Sequence, residues 1–144
     1  MKRYLLILSL LAFACGEVEN PVPNYPVYLD LDLTFEDKAL RDVPSSKTYT
    51  LKNININTER VGFGGVLVVH ASDGLFYAFD MACPYEASRS AIIEADANTL
   101  YAVCPKCGTK YDIGFGSGAP DGIGKDYLRR YIVTGADPRL TVRN

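Results

Sequence analysis

The chain has 144 residues, of which 48% are hydrophobic and 22% are charged. These proportions are typical of one globular domain and argue against a large multidomain enzyme. Lys and Arg (15 residues) nearly balance Asp and Glu (17), and the scattered basic residues exclude the cationic footprint of a nucleic-acid-binding protein. His70 is the single histidine, which excludes a metal site built from several histidines.

The amino-terminal segment predicts a secretory signal. Two basic residues precede an apolar run that is too short to span a bilayer, so we expect residues 1–14 to be a signal peptide. Residues 11–15 (LAFAC) resemble the lipobox of bacterial lipoproteins, which implies that Cys15 is lipidated and attaches the protein to a membrane. Gly16, in place of Asp, resembles lipoproteins sorted to the outer membrane of the cell envelope. A plain signal peptide cut near the same position is the alternative.

Residues 15–26 follow as a proline-rich stretch without apolar periodicity. One interpretation is an extended, lipidated tether that holds the domain away from the membrane. The other is an edge segment that packs along the domain. No residue in this stretch indicates chemistry.

Residues 27–144 show the pattern of short strands. Apolar and acidic side chains alternate over residues 27–33, and residues 47–54 predict a second strand. Only residues 35–41 fit a short helix. Three hairpins follow, joined by turns rich in Gly, Asp, Asn or Pro, and pair residues 61–70 with 75–79, 91–95 with 99–103, and 127–134 with 140–143. Closely spaced short strands predict an all-β sandwich or barrel.

Three further cysteines each follow a predicted strand. Cys83 opens a Cys-Pro pair after the first hairpin, and Cys104 and Cys107 form Cys-Pro-Lys-Cys after the second. Two such loops are typical of metal sites, because the strands hold the loops while Pro and Gly shape a tight turn around the ion. The Cys104-x-x-Cys107 spacing alone fits half of a zinc site, half of an iron–sulfur site or a redox disulfide.

The surroundings of these cysteines resemble a Rieske-type [2Fe–2S] domain. The shared features are DGLFYAFD at 73–80, Cys-Pro-x-Glu at 83–86, Cys-Pro-x-x-Gly-Thr-x-Tyr-Asp at 104–112 and a glycine-rich loop that ends at Tyr131. The resemblance implies a small Rieske-like sandwich or barrel of short antiparallel strands with two cysteine-bearing loops, here called knuckles. In that family two Cys bind one iron and two His bind the other.

Both histidine positions of this pattern hold other residues. Cys83 and Cys104 match the cysteine ligands, whereas Tyr85 and Cys107 stand at the histidine positions. The resemblance therefore implies a cluster held by Cys83, Cys104, Cys107 and Tyr85. Its reduction potential would be lower than that of a histidine-ligated cluster, because anionic ligands stabilise ferric iron.

Three interpretations stay open for this site. The first is a [2Fe–2S] cluster that transfers electrons to an unknown redox partner. The second is a Rieske fold without a cluster, in which Cys104 and Cys107 are free or form a disulfide and the protein has a binding or structural role in the envelope. The third is a zinc ion on the three cysteines, with His70 considered as fourth ligand although its hairpin carries it away. None of the three gives the chain a catalytic centre of its own.

The glycine-rich residues 114–118 resemble a phosphate-binding loop only in composition, since no helix is predicted to follow them. We interpret them as a flexible loop that covers the knuckles, as the Rieske resemblance implies.

Overall fold

The computed structural model describes residues 19–96 and 98–144. The predicted signal peptide and the predicted lipidation site, Cys15, lie outside the described residues. The described part contains eleven strands and a 3₁₀ helix: β1 (Val27–Asp32), the 3₁₀ helix (Lys38–Arg41), β2 (Ser45–Tyr49), β3 (Arg60–Val61), β4 (Val66–His70), β5 (Phe76–Asp80), β6 (Glu94–Asp96), β7 (Tyr101–Val103), β8 (Lys110–Asp112), β9 (Pro120–Asp121), β10 (Arg130–Ala136) and β11 (Arg139–Arg143).

The predicted all-β class is confirmed. Seven antiparallel strands form the larger sheet in the order β2-β4-β5-β10-β11-β1-β3. In β1 the side chains of Val27, Leu29 and Leu31 are buried and alternate with more exposed residues, as the sequence predicts. They share one core with buried residues from each of the other six strands. The larger sheet therefore curls around this core into a barrel-like shape.

A smaller antiparallel sheet, in the order β6-β7-β8-β9, covers part of the outer face of the larger sheet. Strand β4 contributes to two cores: Val66 and Val68 lie in the first, and Leu67 and Val69 in a second core shared with the smaller sheet. A strand buried on both faces needs a continuous apolar run. This explains why β4 lacks alternation.

The three predicted hairpins are confirmed as β4–β5, β6–β7 and β10–β11, and strands β4, β6, β7 and β10 are shorter than predicted. The predicted strand over residues 61–70 is interrupted between β3 and β4, because Gly62 and Gly65 adopt φ values of +69° and +102°. Ile92 forms only an isolated bridge with Ala82 before β6 begins. Strands β8 and β9 were not predicted.

Strand β2 also differs from its prediction, since it ends at Tyr49 and not at residue 54. The Thr50 N–H donates to Asn53 Oδ1 (2.6 Å), and the Asn53 N–H donates to the Thr50 carbonyl (3.0 Å). These two hydrogen bonds close a turn immediately after the strand.

The described part of the proline-rich stretch lies along the domain. Val22 is buried, and Arg129 Nε donates to its carbonyl oxygen (2.7 Å). Asn144 Nδ2 donates to Asn24 Oδ1 (2.8 Å) and to the Tyr25 carbonyl (3.0 Å). For these residues the structure shows a packed edge segment, and lipidation at Cys15 stays a prediction. No helix in the described residues is long and apolar enough to cross a membrane.

Candidate metal centre

Each knuckle is held by its own backbone hydrogen bonds. Beyond the end of β5, the Cys83 N–H donates to the Ala91 carbonyl and the Ala87 N–H donates to the Cys83 carbonyl, both at 2.8 Å. Cys104 follows β7 directly, and the Gly108 N–H donates to its carbonyl oxygen (2.9 Å). Gly108 has a φ of +74°, which favours glycine, so this residue allows the chain to turn back into β8.

The two knuckles bring three sulfur atoms together. The Sγ atoms of Cys83, Cys104 and Cys107 all lie within 4.8 Å of one another, and no other His, Cys, Asp or Glu of the described residues joins this group. Cys83 and Cys104 are buried, Cys107 is half-buried, and all three are free thiols. His70 lies elsewhere, at the end of β4, with Nδ1 2.8 Å from the Leu40 carbonyl oxygen.

Two further side chains contact the sulfurs. Tyr111 Oη lies 3.2 Å from Cys83 Sγ, and the Cys107 thiol donates to Thr109 Oγ1 (3.2 Å). The Gly124 N–H also donates to Thr109 Oγ1 (3.0 Å), so Thr109 connects the second knuckle to a later loop. Neither residue was predicted as part of the site. The available signal was their place in the Gly-Thr-x-Tyr sequence that directly follows Cys107.

Tyr85, the predicted fourth ligand, is oriented differently from Tyr111. Its side chain is 53% exposed, and no hydrogen bond of its hydroxyl is found among residues 19–96 and 98–144. The phenol that contacts a cysteine in the described structure belongs to Tyr111. A role for Tyr85 in ligand binding stays a prediction.

The protein environment shifts the pKa values of Cys104, Cys107 and Tyr111 in different directions. Burial raises the pKa of the Cys104 thiol to about 11, and hydrogen bonds with the other two thiols add to the effect. Burial also disfavours the Cys107 thiolate, but hydrogen bonds with the side chain and backbone of Thr109 and with the other two thiols together outweigh it and lower the pKa. Burial, followed by the contact with Cys83, raises the pKa of Tyr111 well above its usual value. Cys107 therefore loses its proton more readily than Cys104, whereas Tyr111 stays protonated.

The distance between two of the sulfurs matches the spacing of thiolates on a single tetrahedral ion. A zinc–sulfur bond of about 2.3 Å at the tetrahedral angle places two thiolates about 3.8 Å apart. The sulfur atoms of Cys83 and Cys107 are 3.7 Å apart. The sulfur atom of Cys104 lies within 4.8 Å of both, so three thiolates are available near one point and a fourth position is left for another ligand.

The same distance does not fit a [2Fe–2S] cluster. In the Rieske pattern Cys83 and Cys107 would bind different irons, which are separated by bridging sulfides. The sulfur atoms of Cys83 and Cys107 are 3.7 Å apart, which is the spacing of two thiolates on one metal ion. In addition, Tyr85 is 53% exposed, and the phenol that contacts a cysteine among the described residues is that of Tyr111. The described arrangement would have to open before it could hold two irons.

The glycine-rich loop predicted to cover the knuckles lies elsewhere. A side chain at Gly116 would meet the ring of Tyr77, which belongs to β5. The segment at the cysteine site contains Gly122 and Gly124 instead, and a Cβ atom at either position would lie within 3.4 Å of Thr109. Both stretches are rich in glycine, so composition alone did not show which of them lies at the cysteine site.

Few known proteins are similar to this chain. No family model and no curated protein matches the sequence. One similar solved chain comes from the complex of reduced oxygenase and oxidized ferredoxin in carbazole 1,9a-dioxygenase, with 18% identity, a TM-score of 0.49, and coverage of 81% of this chain and 93% of that one. Another is the ferredoxin of carbazole 1,9a-dioxygenase from Nocardioides aromaticivorans IC177, with 17% identity, a TM-score of 0.46, and coverage of 83% and 95%. Because the sequence identities and TM-scores are this low, these two structures do not indicate a function for this chain, and we infer the function from the site.

Proposed function

We propose that this chain is a small metal-binding domain of Rieske-like organisation in which Cys83, Cys104 and Cys107 hold one zinc ion. The observation that carries the proposal is the convergence of three sulfur atoms from two separate knuckles to within 4.8 Å. Zinc prefers thiolate ligands at tetrahedral spacing, and an ion bound there would link the two knuckles and stabilise the folded domain. A water molecule or a donor from a partner would complete the coordination.

A second candidate function is electron transfer through an iron–sulfur centre. It is favoured by the order and spacing of the two Cys-Pro sequences, which resemble those of a Rieske domain. This function requires Cys83 and Cys107 to move apart and bind different irons. Its partner would be a redox protein of the cell envelope.

Metal loading of the reduced, anaerobically purified domain separates these functions. One sample receives Zn²⁺ and a second receives Fe²⁺ with sulfide. The metal content, the sulfide content and the absorption spectrum of each sample are then measured. We expect one zinc per chain and no stable incorporation of sulfide. Cys104→Ser should lower zinc affinity by about a hundredfold or more, since it removes one of three ligands. Tyr85→Phe should leave zinc affinity unchanged and serves as the matched control.

Two other outcomes would reject the zinc proposal. Two irons and two sulfides per chain, with a charge-transfer absorption, would establish the electron-transfer function. Retention of neither metal would favour the second interpretation, a Rieske-like fold without a cluster that has a binding or structural role.

We further propose that the protein is a lipoprotein of the cell envelope, anchored through Cys15 after removal of residues 1–14. The support is the lipobox-like sequence at 11–15. Labelling of bacterial cells with a radioactive fatty acid should mark the wild-type protein and not Cys15→Ser. Equal labelling of the two proteins would contradict the proposal.

A further inference from the structure

A second candidate site is a cavity of about 500 Å³ beside the first knuckle. Its walls come from four parts of the chain: Tyr25 and Pro26, the turn at residues 50–52, the loop at residues 60–65, and Arg89 of the first knuckle. A volume of this size falls within the range of ligand-binding pockets in proteins. None of the three cysteines lines it, so it is separate from the metal centre.

Much of the wall is apolar and uncovered. Leu51 is 70% exposed and Tyr25 is 43% exposed, although both are large hydrophobic residues. Tyr25 packs against Phe63 with ring centroids 5.4 Å apart. An apolar group that entered the cavity would cover Leu51 and the exposed part of Tyr25, and the resulting removal of apolar surface from water would favour binding.

The charges around the cavity are all positive. Lys52, Arg60 and Arg89 line it, and no Asp or Glu does. None of these three cations takes part in an ion pair among the described residues, where the ion pairs involve Arg41, Lys47 and Arg139. The chain as a whole carries a net charge of −2, so this concentration of cations does not reflect overall composition.

The cationic and apolar features are held together by fixed geometry. The Arg89 guanidinium lies over the rings of Tyr25 and Phe63, 4.9 and 4.8 Å from their centroids. The backbone N–H groups of Phe63 and Gly64 donate to the buried carboxylate of Asp80, at 2.9 and 3.0 Å. The wall formed by this loop is therefore in place before any ligand arrives, which reduces the entropy lost on binding.

We propose that this cavity binds an amphipathic carboxylate, with its apolar body on Leu51 and Tyr25 and its anionic group among Lys52, Arg60 and Arg89. An anion is preferred because it would meet three cations that lack carboxylate partners in the described structure. The apolar body is required because the exposed walls are aliphatic and aromatic. The proposal is independent of the metal centre and does not change with the metal that the cysteines hold.

Titration of the reduced full-length mature chain with hexanoate tests this site. Backbone amide shifts are followed by NMR and compared with titrations of 1-hexanol and hexylammonium, which carry the same chain with a neutral or a cationic group. We expect saturable shifts that are concentrated in residues 60–65, with a dissociation constant on the order of 1 mM. Hexanol should bind several-fold more weakly, and hexylammonium should not saturate.

Three variants identify the contacts. Arg89→Gln should weaken hexanoate binding about three- to tenfold by removing one cation, and Leu51→Gln should weaken it by a similar factor through the lost apolar wall. Lys38→Gln makes the same charge change at an exposed residue of the 3₁₀ helix that does not line the cavity, and should leave the affinity unchanged. Leu51 is so exposed that its replacement should not affect folding, which amide spectra of the free variant would verify.

The alternatives give distinct results. If hexanol binds as tightly as hexanoate, the cations have no role in recognition and the proposal fails. It also fails if hexanoate gives no saturable shift up to about 20 mM, well above the expected dissociation constant. An equal loss of affinity in Lys38→Gln and Arg89→Gln would likewise overturn it, because the effect would then come from net charge.

Discussion

Asp80 shows how one buried side chain positions both candidate sites. Its carboxylate accepts hydrogen bonds from the N–H groups of Phe63, Gly64 and Ala82, and from the Tyr131 hydroxyl at 2.7 Å. The first two contacts hold the loop of the cationic cavity, and the third lies one residue before Cys83. A carboxylate has acceptor sites for all four donors and presents no donor of its own. The negative charge of Asp80 is therefore stabilised by four hydrogen bonds, and no donor faces another donor.

Replacement of Asp80 by Asn should destabilise the domain by about 2–4 kcal/mol, because the amide NH₂ would face at least one N–H donor and the charge would be lost. Urea denaturation at neutral pH measures the change. Tyr131→Phe removes only one of the four donors and should cost about 1 kcal/mol. If the two variants were equally destabilised, the carboxylate would not be the group that holds these loops.

At the same scale, the sequence predicts some site residues and not others. The convergence of Cys83, Cys104 and Cys107 could be expected because each follows a predicted strand and two of them begin Cys-Pro sequences. Tyr111 had only its place in the Gly-Thr-x-Tyr sequence as a signal, and its hydroxyl reaches Cys83 only after β8 pairs with β7 and the two knuckles converge. The chain has 10 tyrosines, and their residue type alone does not distinguish a site phenol from a core phenol.

Among the elements, the loop after β8 depends on contact with β5. Gly116 is packed against the ring of Tyr77, whose hydroxyl donates to Asp73 (2.6 Å) and whose face lies against Arg130, 4.6 Å from the ring centroid. The ring is therefore held on two sides and has little freedom to move away. This contact, and not the cysteine site, is the structural reason for glycine at position 116.

Gly116→Ala should reduce stability by about 2–4 kcal/mol, through a collision with Tyr77 added to the strain of a φ of +70°. Gly74→Ala is a matched control: its φ is +78°, but a Cβ atom there would meet nothing within 4 Å. It should cost only about 1 kcal/mol of backbone strain. Thermal and urea unfolding of both variants measures the difference, and equal losses would show that the ring contact contributes nothing.

Hairpins were the elements that the sequence predicted best. Their turns carry Gly, Asp, Asn or Pro between apolar runs, so the signal is local and physical. The end of β2 was missed because it depends on Asn53, whose side-chain oxygen accepts a hydrogen bond from the Thr50 N–H. Strands β8 and β9 were missed because each has at most three residues, and because their pairing depends on how the knuckles turn the chain.

Across the whole molecule, the larger core contains buried phenols that are coupled to carboxylates. Tyr49 and Tyr131 both belong to it, and their hydroxyls donate to Asp37 and Asp80. Burial, together with the adjacent carboxylate, raises the pKa of each tyrosine well above its usual value of about 10. The folded protein therefore keeps two protons that the unfolded chain releases in alkaline solution.

This difference predicts the alkaline limit of stability. Below about pH 10 both tyrosines are protonated whether the chain is folded or unfolded, so their contribution does not vary with pH. Above it, unfolding releases these protons, and the free energy of unfolding should fall by about 1.4 kcal/mol per pH unit for each tyrosine. Urea denaturation between about pH 8 and 11 measures the slope.

The double variant Tyr49→Phe/Tyr131→Phe is the control. It will be less stable at neutral pH, but its alkaline slope should be shallower by about 3 kcal/mol per pH unit, because all other titrating groups are common to both proteins. Equal slopes would mean that these two phenols ionise as readily in the folded protein as in the unfolded chain.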